Sequence, residues 1–174
     1  MLRRARNPWR TRLSLGSREL EVSLARLLIV HHTPSPALEA MLEAVVAGAR
    51  DPELTGVDVT LVPALAATVP DVLAADGFVL GTPANIGYMS GALKHFFDQI
   101  YYPCLLAKPR APYGLYVHGS TDTTGAVRAV TSIATGLSWT EVAKPVVATG
   151  PVGKEVEQEC YELGATVAAN LGEP

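Results

Sequence analysis

The sequence predicts an α/β fold of three layers, in which helices cover both faces of a five-stranded parallel sheet with strand order 2-1-3-4-5. Short apolar segments alternate with segments whose apolar residues recur at helical spacing, and the connections between them are short. This alternation is typical of parallel strands joined by right-handed helical crossovers. Ligands of such sheets bind beyond the carboxyl ends of the strands, so the segments after the first, third and fourth strands are the candidate site.

The strand predictions rest on short apolar runs bounded by turn residues. The first run, ARLLIVH, is typical of a strand buried on both faces, whereas VDVTLV places its apolar residues on one face. The runs GFVLG, YGLYV and KPVVAT complete the sheet. Strands are therefore expected over residues 25–31, 57–62, 77–81, 113–117 and 144–149.

The helix predictions rest on apolar residues three and four positions apart and on start and stop signals. Pro36 suits a first turn, and Asp51-Pro52 ends the first helix. Ser90 is a candidate N-cap. Helices are expected over residues 36–49, 69–73, 90–101, 124–137 and 152–171.

Composition limits the function classes. A chain of 174 residues, 48% hydrophobic and 18% charged, suits one domain with a substantial core. The mild net charge of −3 supports neither a nucleic-acid-binding protein nor a highly acidic partner, so no nucleic-acid partner is expected. Cys104 and Cys160 lie far apart, and the four histidines lack metal-like spacing, so we expect free thiols and no metal. No apolar run is long enough for a membrane span or a signal peptide, which leads us to expect a cytoplasmic protein.

The first part of the chain differs from the rest. Residues 1–22 are predicted to be a basic extension, and residues 23–174 the folded domain. The extension contains six arginines, at positions 3, 4, 6, 10, 12 and 18. It is either a disordered tail or a basic arm that docks on a partner or an acidic face.

The first candidate loop, residues 31–38 (HHTPSPAL), follows a buried strand and opens a helix. The N–H groups and the positive dipole end of a helix start attract phosphate. Thr33 and Ser35 add hydroxyl donors, although the same geometry serves a simple helix cap. The loop has neither the nucleotide-hydrolysing P-loop pattern nor the dinucleotide fingerprint.

The second candidate loop, residues 81–98, contains Gly81, Gly87 and Gly91, which allow a flat ligand to approach the backbone closely. Main-chain N–H groups of residues 84–87 are expected to bind the polar edge of a flavin ring. Tyr88 and Met89 are expected to pack on the ring or on a neighbouring subunit. The alternative is an ordinary strand–helix connection.

The third candidate loop, residues 118–125 (HGSTDTTG), is rich in small polar residues and suits the other side of a flat ring. His118 is the candidate catalytic acid, because imidazole exchanges protons near neutral pH. A solvated loop is the alternative.

Residues 76–98 resemble the signature of the flavodoxin-like NAD(P)H:quinone oxidoreductases of the tryptophan-repressor-binding-protein type and the related NADPH-dependent FMN reductases. The segments GTP, NIGYMSG and KHFFD fall in register with that signature. The resemblance covers residues 25–168. It implies a flavodoxin-like fold, non-covalently bound FMN, and a homodimer or homotetramer.

The resemblance also implies where FMN binds. The phosphate is expected on the first loop, the ring edge on the second, and the far side of the ring on the third. The candidate cofactor-binding residues are His32, Thr33, Ser35, Pro36, Ala37, Thr82, Pro83, Ala84, Asn85, Ile86, Gly87, His118, Gly119, Ser120, Asp122 and Gly125. The implied reaction passes a hydride from NAD(P)H through FMN to a quinone-like small-molecule acceptor.

One loop departs from the family pattern. Where the family reads S-x-T-G-N-T, Pro36, Ala37 and Leu38 stand at the Gly, Asn and Thr positions. Proline lacks a backbone donor and leucine lacks a hydroxyl, so FMN binding is expected to be weakened. An electron-transfer flavodoxin and a non-enzymatic protein with weakened flavin binding are therefore the alternatives to the oxidoreductase.

Overall fold

The computed structural model describes residues 24–172. The predicted basic extension, residues 1–22, lies outside the described residues. The elements are β1 (Ala25–His31), α1 (Pro36–Ala49), β2 (Val57–Pro63), α2 (Val69–Ala74), β3 (Gly77–Asn85), β4 (Tyr88–Met89), α3 (Gly91–Cys104), β5 (Pro112–Gly119), α4 (Thr124–Gly136), β6 (Thr140–Glu141), β7 (Val146–Thr149) and α5 (Lys154–Gly172).

The main strands form a parallel sheet in the order β2-β1-β3-β5, and β6 and β7 both pair with β5 at the far edge. The predicted 2-1-3-4-5 order is confirmed, with the fifth position divided between two short strands. Pro145 stands between them and has no N–H to donate to the ladder. The strand predicted over residues 144–149 therefore begins only at Val146.

The prediction for the third strand was too short. It was expected to end at residue 81, but β3 continues to Asn85 and pairs with β5 as far as Pro83. The chain then reverses through a two-residue turn and pairs antiparallel with β4. Pro83 hid this extension, because proline inside a run argues against a strand.

Two apolar clusters lie on opposite faces of the sheet. Alternation along β1 sends Leu28 and Val30 to the cluster shared with α2, α3 and α4, and Leu27 and Ile29 to the cluster shared with α1 and α5. Each fully buried large apolar side chain contributes about 1.5–3 kcal/mol to folding. The sheet is thus held between two helical layers.

Helices α1 and α5 approach each other so closely that only glycine fits at their crossing. A Cβ at Gly164 would overlap the Val45 carbonyl oxygen, and one at Gly48 would overlap the Tyr161 carbonyl oxygen. This contact fixes α1 against the sheet, and with it the position of the loop that precedes α1.

No helix among residues 24–172 combines the length and the apolar character that crossing a bilayer requires.

Candidate functional site

The sheet register brings the three candidate loops to one edge. His31 at the end of β1 pairs with Gly81, Gly81 pairs with Tyr116, and Pro83 pairs with His118. The main-chain N–H of His32 continues this pairing with a hydrogen bond of 2.9 Å to the Gly81 carbonyl oxygen. The first, second and third loops therefore leave the sheet side by side at the carboxyl ends of β1, β3 and β5.

The first loop ends in a capped helix start. Ser35 is the N-cap of α1, and its hydroxyl accepts a hydrogen bond of 3.4 Å from the Leu38 N–H. Pro36 has no N–H, so the unpaired helix-start donors are those of Ser35 and Ala37. The exposed Glu39 carboxylate also lies in this first turn, where solvent screens its repulsion of an anion.

Thr33 is held by a side chain that the sequence analysis left without a role. The Nδ1 atom of His31 lies 2.8 Å from the Thr33 hydroxyl oxygen. Burial, and to a smaller extent the charge of His32, lowers the pKa of His31 below its usual value. His31 is therefore a neutral partner of Thr33 at pH 7.

The second loop is a hairpin rather than an open connection. Its turn residues, Ile86 and Gly87, have φ angles of 50° and 70°, the left-handed pair that a tight two-residue hairpin requires. For a β-branched residue such as Ile86 this conformation costs of order 1–3 kcal/mol. The Ile86 side chain is fully exposed, so a strained apolar residue stands at the tip of the loop.

The base of the hairpin is built into the fold. Thr82 is 0% exposed, and its hydroxyl accepts a hydrogen bond of 3.0 Å from the Ser90 N–H and donates one of 2.9 Å to the Pro83 carbonyl oxygen. Pro83 is also buried, Ala84 is half-buried, and Asn85 is exposed. Among the residues of this loop predicted to contact the ring, only residues 84–87 are exposed enough for a ligand to reach them.

Tyr88 and Met89 separate in the structure. Tyr88 is 43% exposed on the outer strand of the hairpin, whereas Met89 is 2% exposed and packs in the core. The expectation that Met89 packs on a ring or a neighbouring subunit is therefore wrong, because strand alternation turns it inward.

The third loop is shorter than expected, because His118 and Gly119 still belong to β5 and Gly125 to α4. His118 Nε2 donates to the Gly150 carbonyl oxygen at 2.7 Å, which ties the loop to the end of β7. The Thr124 N–H donates to Asp122 at 3.0 Å, and this bond, first among several, lowers the pKa of Asp122.

The second and third loops touch each other. A Cβ at Gly125 would overlap the Gly87 carbonyl oxygen, and one at Gly119 would lie 3.2 Å from the Ala84 Cβ atom. Ser120 between them is exposed. The start of α4 therefore rests directly on the hairpin turn.

The donors at this edge fit a phosphomonoester on a flat ring. Thr33, Ser35 and Ala37 supply the hydroxyl and N–H donors, and the helix dipole adds positive potential. Among residues 24–172, two buried polar atoms beneath these loops have no hydrogen-bond partner, His32 Nδ1 and the Tyr116 hydroxyl. A buried polar atom without a partner needs an explanation, and a ligand bound at this edge is one. The residues thus fit FMN.

Sequence reasoning missed three participants. His31 and Tyr116 were placed in predicted strands without a role of their own, and Gly150 was not singled out. The contact of Gly150 with His118 spans 32 residues of chain, and Tyr116 reaches the first loop across the sheet, so no local pattern records either; the contact of His31 with Thr33 is local, but it depends on the conformation of the loop. In the part of the chain that the structure describes, no group of three or more His, Cys, Asp or Glu residues is placed to hold a metal ion.

Comparison with known proteins gives a family for most of the chain. A family model described as NADPH-dependent FMN reductase matches residues 38–153. A flavodoxin from Aquifex aeolicus is 38% identical over 77 residues, which cover 44% of this chain and 40% of that protein. The chain thus matches less than half the length of this curated relative. The family match begins at Leu38, the last residue of the first loop, which is the loop where the sequence departs from the family pattern.

Solved structures show the same fold. A flavodoxin from the domain Archaea superposes with a TM-score of 0.71 at 18% identity, covering 85% of this chain and 99% of that one. A WrbA-like flavodoxin from Agrobacterium tumefaciens gives a TM-score of 0.68 at 18% identity, covering 86% and 99%. The fold is therefore flavodoxin-like, as predicted.

The family match confirms the resemblance seen in residues 76–98. It also confirms the expectation of FMN and a nicotinamide electron donor as the cofactors of this family. Because the match extends over more than half of the chain, this protein belongs to the NADPH-dependent FMN reductase family.

Proposed function

We propose that this protein is an FMN-dependent oxidoreductase that transfers a hydride from NAD(P)H through FMN to a quinone-like acceptor. When bound, FMN supplies the hydride acceptor of one half-reaction and the hydride donor of the other. One observation carries the proposal. The start of α1, with its hydrogen-bond donors, lies at the same edge of the sheet as the second and third loops, which contact each other.

Each loop has one task in this proposal. Thr33, Ser35 and the Ala37 N–H hold the phosphate, while main-chain groups of residues 84–87 orient the ring edge. The residues from Gly119 to Gly125 bound the opposite side. Because α4 rests on the hairpin turn, the second and third loops keep a fixed spacing.

His118 is the proposed proton donor to the reduced acceptor. Its Nε2–H is held by the Gly150 carbonyl oxygen, which fixes the orientation of the ring. The second nitrogen, Nδ1, is then the position that takes up or releases a proton. The hydrogen bond to Gly150 is also what a purely structural role, tying the loop to the end of β7, would require. A His118→Gln variant separates that structural role from proton donation. It should retain flavin and its reduction by NAD(P)H while slowing acceptor turnover.

The sparse aromatic content of the loops favours an enzyme over an electron carrier. Electron-transfer flavodoxins are usually strongly acidic and shield the flavin between aromatic rings. Here the hairpin and the third loop offer Tyr88 alone, and the hairpin tip is the aliphatic Ile86. A ring face left free of aromatic side chains is available for stacking by a nicotinamide or a quinone.

A homodimer or homotetramer is part of the proposal. Two large side chains near the carboxyl end of α3, Tyr102 and Leu106, are 81% and 86% exposed. Neighbouring apolar residues at a surface are typical of contacts between subunits. Analytical ultracentrifugation of the purified protein measures the state, and a monomer at micromolar concentration contradicts it.

Two measurements on the purified protein test the function. An absorption spectrum with and without added FMN shows whether flavin binds. Anaerobic stopped-flow mixing with NADPH or NADH, followed by a benzoquinone, shows whether the bound flavin is reduced and then reoxidised. Flavin that binds but is not reduced by either nucleotide indicates an electron carrier. Absence of binding even at millimolar FMN indicates a non-enzymatic protein.

A further inference from the structure

A buried tyrosine lies beneath the first loop. Tyr116, on β5, is 0% exposed, and it belongs to the cluster shared with α1 and α5. Its ring crosses the adjacent strand at Gly81, where a Cβ atom would overlap the Tyr116 hydroxyl. Gly81 is the partner of both His31 and Tyr116 in the sheet, so the hydroxyl lies at the level where the first loop leaves β1.

This hydroxyl has no hydrogen-bond partner within residues 24–172. Leaving a buried hydroxyl unpaired is unfavourable, so such a group in a folded protein needs an explanation. Burial raises the pKa of Tyr116 far above its usual value, and the nearby Thr33 side chain opposes part of that rise. The group is therefore a protonated donor beside Thr33 that does not hydrogen-bond to it.

The chemistry at Thr33 gives this donor a use. A threonine hydroxyl has one proton to donate and two lone pairs that accept. His31 Nδ1 lies 2.8 Å from the Thr33 hydroxyl oxygen. If His31 and Tyr116 both donate to that oxygen, its two lone pairs are satisfied and its one proton is free to point outward.

We propose that Tyr116 is a positioning residue for the flavin phosphate: when the phosphate binds, the Tyr116 hydroxyl, unpaired before, donates together with His31 to Thr33 and directs the Thr33 O–H group at the phosphate. The inference rests on the proposed function, because it takes the first loop as the phosphate site. Donors linked in series polarise one another, which strengthens the outermost bond. The arrangement offsets the donors lost at Pro36 and Leu38, and it makes the site selective for a phosphorylated flavin.

The test is Tyr116→Phe, which keeps the ring and removes only the hydroxyl. Apoprotein is titrated with FMN and with riboflavin, which has the same ring system without the phosphate. We expect the Kd for FMN to rise about 3- to 10-fold, the effect of one hydrogen bond, and the Kd for riboflavin to stay the same. The melting temperature of the apoprotein should be unchanged or higher, because an unpaired buried hydroxyl has been removed.

Tyr113→Phe is the matched control. Tyr113 is 2% exposed on the same strand, but its hydroxyl donates to Glu141 at 3.2 Å on the other side of the sheet. We expect no change in the affinity for either flavin. A second variant, Thr33→Val, tests whether Tyr116 acts through the Thr33 hydroxyl. In a Thr33→Val protein, Tyr116→Phe should cause no further loss of FMN affinity, because residues that act through one another do not contribute additively.

The outcomes are distinguishable. An unchanged FMN affinity in Tyr116→Phe overturns the positioning role, as does an equal loss of FMN and riboflavin affinity, which indicates a packing defect. If Tyr116→Phe does not fold, the Thr33→Val variant alone tests the inference. Full selectivity for FMN over riboflavin in Thr33→Val overturns it. Failure of the unaltered protein to bind FMN overturns the proposed function itself.

Discussion

Removing the two hydroxyls of the first loop should abolish retention of FMN. In the double variant Thr33→Ala, Ser35→Ala, the proposed phosphate site loses both side-chain donors and retains the N–H groups of Ser35 and Ala37. A hydrogen bond to a charged group contributes about 1.5–3 kcal/mol. Two such bonds correspond to about 3–6 kcal/mol, which raises the Kd by roughly 10²- to 10⁴-fold.

Helix capping has to be separated from phosphate binding. Ser35 caps α1 through a 3.4 Å hydrogen bond from the Leu38 N–H, and Ser90 caps α3 through a 3.2 Å bond from the Leu93 N–H. Loss of either cap costs about 1 kcal/mol of stability. Ser90→Ala is therefore the matched control, because it removes a cap without touching the first loop.

The assay is fluorescence titration of the apoprotein with FMN, accompanied by thermal melting of each variant. We expect the double variant and Ser90→Ala to lose comparable stability per cap, while only the double variant loses FMN affinity. If the double variant binds FMN as tightly as the unaltered protein, the assignment of the phosphate to the first loop is refuted.

Two further predictions follow from contacts in and beside the site. Gly125→Ala should weaken binding of both FMN and riboflavin by titration, because its Cβ collides with the Gly87 carbonyl oxygen and displaces the hairpin. Gly153→Ala, whose Cβ meets nothing within 4 Å and which lies outside the three loops, should leave both affinities unchanged. Because burial, and secondarily His32, lowers the pKa of His31 below 6.5, the unfolded state binds more protons there, so stability in the apoprotein falls as the pH drops below about 6.5. His31→Asn should flatten that part of the stability profile, measured by urea unfolding from pH 7.5 to 5. A slope equal to that of the unaltered protein would contradict the assignment.

The fold was predictable because its signals are local. The run ARLLIVH and the helix that begins at Pro36 were both placed at their observed bounds, since buried parallel strands and helix starts have sequence patterns of their own. The strand order followed from alternation and handedness. The family resemblance rested on one continuous segment, residues 76–98, and the match to a family model confirmed it.

Other features depended on pairing that no local pattern reports. The extension of β3 through Pro83 depends on β5 lying alongside, and the turn at Ile86 depends on β4 folding back. Pro145 interrupts the edge strand, although the run around it looks continuous in the sequence.

The sequence by itself determined the alternation of strands and helices and the family, and it predicted the general location of the candidate site, because periodicity and glycine-rich loops are properties of neighbouring residues. Only the tertiary structure decided which side chains face that site. It buried Thr82 and Met89, joined His31 to Thr33, and brought the Tyr116 hydroxyl over Gly81 to the first loop. The burial of Thr82 and Met89 and the approach of Tyr116 to Gly81 are set by sheet register and core packing rather than by position in the chain, whereas the His31–Thr33 hydrogen bond is local and depends on the conformation of the first loop.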